Sequence, residues 1–494
     1  MELFLYSTYV LLLVSSLYVL RHFADARRNL PPGPPSWPLI GNLLDLGTLP
    51  HRSLARLAER HGPLMTLRLG ALTTVVASSA DTARDVLQRH DAAFSARSVP
   101  DAVRACAYDS FSMGWLPPSS PHWRALRKLC SGELFAPHRL DAHQSIRREK
   151  VQQLVSHVDR LSREGAAVDI SLVVFTTALN LLSCTIFSAD IADLGDRGGS
   201  GQFMAVISES LQVAGQPNLS DFFPVVAPLD PQRLRKRLAM GFKQLHAIFD
   251  EQIERRMRER TAGQLPKNDF MTCCSTTADG RGLDREMLRA LLMDLFIAGS
   301  DTSAATFEWA MAELLQNPSS VAKARDELAQ VIGSRSEIEE SDIGQLKYLQ
   351  AIVKEVFRLH PPAPLLLPRQ AEATTELRGY TVPKGARVMV NVWAIGRDSE
   401  LWSEPEKFMP ERFLGKDMDY RGRDFELLPF GSGRRICPGM PLAVRMVHLM
   451  LATLLYRFEW KLPKEVEENG VDMEEKFGIV LALGTPLQAI AEPV

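Results

Sequence analysis

Phe430-Gly-Ser-Gly-Arg-Arg-Ile-Cys-Pro-Gly439 places one cysteine between a glycine-rich, doubly basic loop and an apolar run, Leu442 to Leu455. Pro438 suits the first position of a helix, where its fixed φ and missing N–H cost nothing. Cys437 is therefore expected at a helix N-terminus, where unpaired N–H groups and the helix dipole favour negative charge. Arg434 and Arg435 add positive charge beside it. Such surroundings lower a thiol pKa and make the thiolate a good soft-metal ligand. The plain alternative is a buried free cysteine, the default for any single Cys. No Cys-x-x-Cys occurs in the chain, and a lone cysteine cannot build a structural zinc site. Two chemical roles stay open, a reactive nucleophile and the axial ligand of a haem iron.

The loop resembles the haem-binding signature of the cytochrome P-450 superfamily, Phe-x-x-Gly-x-Arg-x-Cys-x-Gly. Phe430, Gly433, Arg435, Cys437 and Gly439 fill its fixed positions. Thiolate-ligated haem is the hallmark of that superfamily. A ten-residue motif needs support from the rest of the chain, which is long enough to supply it.

The chain has 494 residues, ample for a large core. A net charge of -2 with a pI near 6.6 argues against a general nucleic-acid binder. Six cysteines, Cys106, Cys130, Cys184, Cys273, Cys274 and Cys437, are scattered rather than clustered. That pattern fits a reducing compartment better than a disulfide framework.

Leu3 to Leu20 carries no charge, and as a helix these residues span about 27 Å, near the minimum for a bilayer core. Arg21, His22, Arg27 and Arg28 follow, so the body is expected on the cytosolic side. A cleaved signal peptide is the rival reading, with Ala24-Asp25-Ala26 as its site. The missing basic n-region and the length of the apolar run favour an uncleaved anchor. Pro31-Pro-Gly-Pro-Pro35 then ends any helix and acts as a stiff spacer. The expected division is an anchor with its basic flank over 1–30, a proline hinge over 31–36 and a catalytic body over 37–494.

Within the body, Met65–Leu69 and Thr73–Ala77 read as an antiparallel strand pair, and Thr82 to His90 as helix. Ser98 to Ser120 is irregular, and a loop this long inside a compact chain is usually functional. A helix begins at Pro121, with Trp123 and Arg127 four apart on one face. Gly195 to Gly201 reads as a flexible connector, since it lacks the Gly-Lys-Ser/Thr ending of a phosphate cradle. Thr261 to Gly282 reads as a polar surface loop rather than a metal site. Arg285 to Gln316 is the longest helical pattern, largely apolar and ended by Asn317-Pro318. Ala298-Gly-Ser-Asp-Thr-Ser303 stands in its middle, where glycine alone costs about 1 kcal/mol against alanine. A tolerated kink is the plain explanation. Leu346 to His360 reads as helix, with Glu355 and Arg358 three apart among apolar flanks. Strands are expected at Val388–Val392 and near Ile479 to Leu483.

These stretches occur in the order that the superfamily shows. The segment with Trp123 and Arg127 resembles its Trp-Arg-x-x-Arg, which holds a haem propionate, and Arg369 falls where another propionate contact lies. Ala298–Thr302 resembles the oxygen groove, where the helix opens beside the haem iron. The resemblance gives Thr302 the oxygen-side proton relay and Asp301 the link to solvent, a role that needs a titratable group. Glu355-Val-Phe-Arg358 and Pro410-Glu-Arg-Phe413 match the segments in which a buried glutamate, here Glu355, binds two arginines, here Arg358 and Arg412. More finely, the chain is similar to the plant microsomal family of geraniol hydroxylases and monocot diterpene hydroxylases.

The resemblance implies a mainly α fold with small β-sheets, the cytochrome P-450 fold, preceded by an N-terminal transmembrane helix. It implies heme b with Cys437 as the metal ligand, and Trp123, Arg127, Arg369, Phe430, Arg435 and Gly439 around the group. Phe111, Met113, Met293, Phe296, Ile297, Ala298, Leu365, Leu366, Phe477 and Ile479 are placed at the substrate pocket; ordinary core packing is the plain reading of each. The reaction implied is insertion of one oxygen atom of O2 into a C–H bond of an apolar terpenoid, a diterpene hydrocarbon ahead of a monoterpene alcohol. No nicotinamide- or flavin-binding segment is present, so electrons come from NADPH through a separate NADPH-cytochrome reductase. Arg124, Lys128 and Arg434 are candidate docking charges. The implied location is the endoplasmic reticulum membrane, single-pass, with the catalytic body in the cytosol. Two other classes stay open. A haem-thiolate isomerase or dehydratase needs no reductase, and a non-catalytic haem-binding membrane protein needs no relay; Asp301-Thr302 counts against both.

Overall fold

In the computed structural model the described residues are 29–494, apart from 264, 266, 268 and 276–282. The expected anchor and most of the basic flank lie outside them. Helices dominate, and four small sheets sit at the margins. The largest sheet has five strands: β1 (Leu64–Leu69), β2 (Leu72–Ala77), β3 (Ala96–Arg97), β4 (Arg369–Gln370) and β5 (Arg387–Val390), in the order β1-β2-β5-β4-β3. β1 and β2 pair antiparallel with Leu69 opposite Leu72, so Gly70 and Ala71 alone make the turn. Gly70 takes φ +58° there, and a Cβ would meet the Phe222 carbonyl oxygen at 2.5 Å. β2 runs parallel to β5.

The central helix is Arg285–Gln316, capped by the Asp284 side chain, which accepts from Met287 N at 2.8 Å. It ends at Asn317 because Pro318 begins the next helix at its first turn. Apolar side chains on all sides let it run through the core against Ile170–Phe187, Lys347–Leu359 and Met440–Arg457. Ile170–Phe187 is apolar and long enough to cross a membrane, yet it is buried beside the central helix. Gly299 gives the close approach: a Cβ there would meet Leu182 Cδ1 of that helix at 2.7 Å. The central helix is continuous through Ala298–Ser303, so the groove expected there is no break in the helix.

Several sequence-based boundaries shift for local reasons. The helix after the cysteine starts at Met440, with Gly439 as its N-cap and Pro441 in its first turn, not at Pro438. Gly198 to Gly201 belong to the helix Arg197–Gly215, because the Asp196 side chain caps Gly198 N at 2.9 Å and offsets the poor glycine propensity. Phe270–Ser275 forms a short helix, burying Phe270, Met271 and Cys274 where a polar loop was expected. Asn391 ends β5 by capping the turn Val392–Ile395, so the strand stops at Val390. Ile479 lies outside the short strand Ala482–Leu483. The proline stretch and the residues before it bond to the body. Thr66 N donates to Pro32 O at 2.8 Å, and Asn29 bonds Gly379 O and Thr381 N.

Candidate active site

The cysteine loop is shaped by its glycines and by carbonyl acceptors. Gly433 takes φ +69° with Leu87 O 2.2 Å from where a Cβ would stand, so any side chain there is both strained and obstructed. Cys437 N donates to Phe430 O at 3.0 Å and closes the loop. Phe430 stands edge-on to Phe357 (5.2 Å) and Tyr420 (5.9 Å).

Burial pushes the Cys437 thiol above its ordinary range; N–H groups of Gly439 and Met440 and the charge of Arg127 oppose that rise. The expected depression by Arg434 and Arg435 is not found, because both guanidiniums turn away. Arg434 lies beside Asp91 at 3.4 Å. Arg435 donates to Ser95 O at 2.9 Å, Met113 O at 3.2 Å and Leu116 O. Arg127 is the cation beside the sulfur, and it also donates to Ile436 O at 2.6 Å.

Four guanidiniums share this region. Arg435 lies over the ring of Trp123 at 4.9 Å. Arg369 is buried and donates to Ser432 O at 3.2 Å, and Arg97 donates to Leu367 O at 2.8 Å and Gly114 O at 3.2 Å. Burial, and then mutual repulsion, pulls Arg97 well below the ordinary arginine range and Arg435 down to about 10. Among the described residues Asp91, 3.2 Å from Arg369, is the one carboxylate at ion-pair distance from Arg97, Arg127, Arg369 and Arg435, and it also lies 3.4 Å from Arg434 outside that set. A cluster of buried cations with one counter-ion is a setting for anionic groups. The two propionates of a haem would supply that charge and Cys437 would supply the thiolate, so the residues fit the group. Asp91 and Arg97 were missed from the sequence; neither sits in a motif, and only the fold brings them to Arg369 and Arg435.

On the central helix, Ala298 is exposed and Thr302 half-buried although Ile297 and Ser300 are buried. Thr302 Oγ1 donates to Ala298 O at 2.6 Å. Asp301 is buried, accepts from Ser208 Oγ at 2.6 Å, and is raised above the ordinary carboxylate range by burial. Behind the loop, Glu355 accepts from Arg358 (2.7 Å twice), Arg412 (2.9 Å) and Met409 N (2.7 Å). Trp402 packs against both guanidiniums.

A cavity opens on the sheet side, walled by Leu46, Leu54, Leu365, Leu366, Phe477 and Ile479. Its charged residues, Asp221 and Arg387, face each other at 3.7 Å. The other residues expected at the pocket do not line this cavity. Phe296 is fully buried between Phe187 (5.7 Å) and Phe249 (5.0 Å), and Met293 is fully buried as well. Phe111, Met113 and Ile297 pack on the core outside that cavity.

A family model described as Cytochrome P450 matches residues 31–486. Geraniol 8-hydroxylase from Swertia mussotii is 46% identical over 477 residues, covering 96% of this chain and 96% of that protein. Geraniol 8-hydroxylase from Catharanthus roseus is 46% identical over 490 residues, covering 98% and 99%. Ferruginol synthase from Salvia miltiorrhiza is 43% identical over 468 residues, covering 94% and 94%.

Proposed function

This chain belongs to the cytochrome P450 family, and from that premise we propose that it hydroxylates a terpenoid, with a diterpene hydrocarbon ahead of a monoterpene alcohol. The class itself is a haem-thiolate monooxygenase supplied with O2 and NADPH-derived electrons. The observation that carries the substrate reading is the cavity, whose walls are apolar and whose two charges neutralise each other. Such a site binds by burial, at about 25 cal/mol per Å2, and leaves no free charge for an ionic substrate. A hydrocarbon of diterpene size has the area to bind this way. Relatives named for geraniol keep a smaller alcohol as the second reading.

When bound, haem supplies the activation of O2 at an iron held by sulfur. Around it each residue has a task. Amides of Gly439 and Met440, with Arg127, stabilise negative charge on Cys437 Sγ. Arg97, Arg127, Arg369 and Arg435, with Trp123, hold anionic groups at the rim. Thr302 Oγ1 carries a proton at the middle of the central helix, and Asp301, which accepts from Ser208 Oγ, links that relay to solvent. Glu355, Arg358 and Arg412 keep the loop's support fixed. Residues 1–30 anchor the protein in the endoplasmic reticulum membrane, leaving the body in the cytosol, where Arg124, Lys128 and Arg434 meet the reductase. A lipid-anchored body suits a substrate that partitions into lipid.

Purified protein with NADPH and reductase, offered terpene hydrocarbons, terpene alcohols and amino acids, tests the reading. A hydroxylated terpenoid is expected. Turnover of a charged amino acid, with every terpene inert, sinks it.

A further inference from the structure

Asp294 has no part in the roles above, yet it stands seven residues before Asp301 on the central helix. A carboxylate in an apolar helix is costly unless its oxygens are satisfied. Here Oδ1 accepts from Tyr108 Oη and from Ser112 Oγ at 2.6 Å, and Oδ2 accepts from Met113 N at 2.7 Å. All three donors belong to one segment, 108–113. No arginine or lysine pairs with Asp294 among the described residues.

That segment leads straight to the cavity. Trp115 N and Leu116 N both donate to Ser112 O, at 3.2 and 2.9 Å, so Ser112 fixes the turn that sets Trp115 in the cavity wall. On its other side the same turn meets the arginine cluster: Met113 O accepts from Arg435 and Gly114 O from Arg97. The Met113 residue is thus held at N–H by Asp294 and at C=O by Arg435. Cys106 and Ala107, just upstream, take φ of +53° and +55°, unfavourable for side-chain-bearing residues, so the segment relies on outside contacts to keep its path.

We propose that Asp294 is a positioning residue: through Ser112 and Met113 it sets where Trp115 stands, and so which apolar ligand the cavity accepts. This rests on the reading that the cavity takes the substrate. Burial lifts the Asp294 carboxyl to about 6, with the hydrogen bonds from Ser112, Tyr108 and Met113 N opposing the rise. The titratable groups facing it, Tyr108 and Cys130, are both raised, first by burial and then by its charge, and stay neutral.

Full-length, haem-loaded Asp294→Asn and Tyr108→Phe proteins test this, read by amide hydrogen exchange over 108–116 and by steady-state kinetics with the terpenoid that wild type turns over. Asp294→Asn is expected to keep the thiolate-type carbon monoxide spectrum. Exchange over 108–116 should rise about tenfold or more, KM should rise more than kcat falls, and the product ratio should shift. Tyr108→Phe, which removes one donor, should show the same pattern more weakly; it carries the test alone if Asp294→Asn loses haem. Unchanged exchange overturns the proposal. Faster exchange with KM and product ratio unchanged overturns it too, by leaving Asp294 a structural clamp. If wild type turns over no terpenoid, the substrate reading fails, while exchange and the affinity for a neutral azole ligand still decide Asp294 by the same criteria.

Discussion

The roles proposed for Cys437 and Thr302 rest on unlike surroundings. Cys437 is held by a backbone turn, two amides and one arginine, and nothing else in the loop offers iron a sulfur. Cys437→Ala should abolish haem retention or the thiolate-type carbon monoxide spectrum of the reduced protein; a normal spectrum contradicts the ligand assignment. Thr302 keeps its own helix bonded through Ala298 O, so Thr302→Ala removes a hydroxyl without disturbing the core. That variant should keep haem and divert reducing equivalents to hydrogen peroxide, read as product formed per NADPH consumed. An unchanged ratio removes Thr302 from the relay. Phe296 belongs with the core residues. Phe296→Ala should cost about 3–5 kcal/mol of stability by leaving a cavity between Phe187 and Phe249, and the thermal midpoint reads it.

Between elements, the strongest constraint is the junction of the helix Lys347–Leu359 with the Pro410–Phe413 turn. Glu355 pairs with both Arg358 and Arg412 where water is excluded, and the spare N–H groups of both arginines reach carbonyls of Gly396, Ser403, Glu404, Pro405 and Lys407. Removing one partner of such a set leaves buried charge uncompensated, at about 3–5 kcal/mol. Glu355→Gln should therefore lower denaturant stability by that order and reduce haem content at expression. A loss below 1 kcal/mol means that the charge is not what locks the junction.

At the scale of the whole molecule, two buried carboxylates, Glu308 and Glu475, respond to pH with opposite signs. Burial raises Glu308 to about 7, above its unfolded value of 4.5, so the folded state binds the extra proton between those values. Its contribution to stability is present below 4.5 and lost as pH rises to about 7, on the order of 3 kcal/mol. Glu475 has the opposite sign. Burial raises it, but hydrogen bonds from His51 and Arg52 outweigh that and leave it at about 2, so its stabilisation is present above 4.5 and lost as pH falls toward 2. Melting wild type and Glu308→Gln at pH 5 and pH 8 separates the two: the wild-type advantage at pH 5 should shrink in the variant. An identical shift in both proteins excludes Glu308. Asn29 and Pro32 bond the body themselves, and a truncation of residues 1–28 keeps those bonds. The truncated protein is expected to be soluble and haem-loaded, and failure to incorporate haem contradicts a separate anchor.

Local chemistry alone determined a good deal of this protein. The cysteine loop, the central helix and its Pro318 stop, the buried Glu355–Arg358 pair and the first strand pair were legible because each depends on residues within a few positions of one another. Helical spacing also put Trp123 and Arg127 on one face. What only the tertiary structure decided depends on distance through space. Arg434 and Arg435 are close to Cys437 in the chain, yet their guanidiniums turn to Asp91 and to loop carbonyls, while it is the charge of Arg127 that acts on the thiol. Phe296 and Leu365 are equally apolar, and only packing makes one a core residue and the other a cavity wall. Asp91, Arg97 and Asp294 carry no local signature, because a lone charged residue acquires its meaning from the partners that folding brings to it.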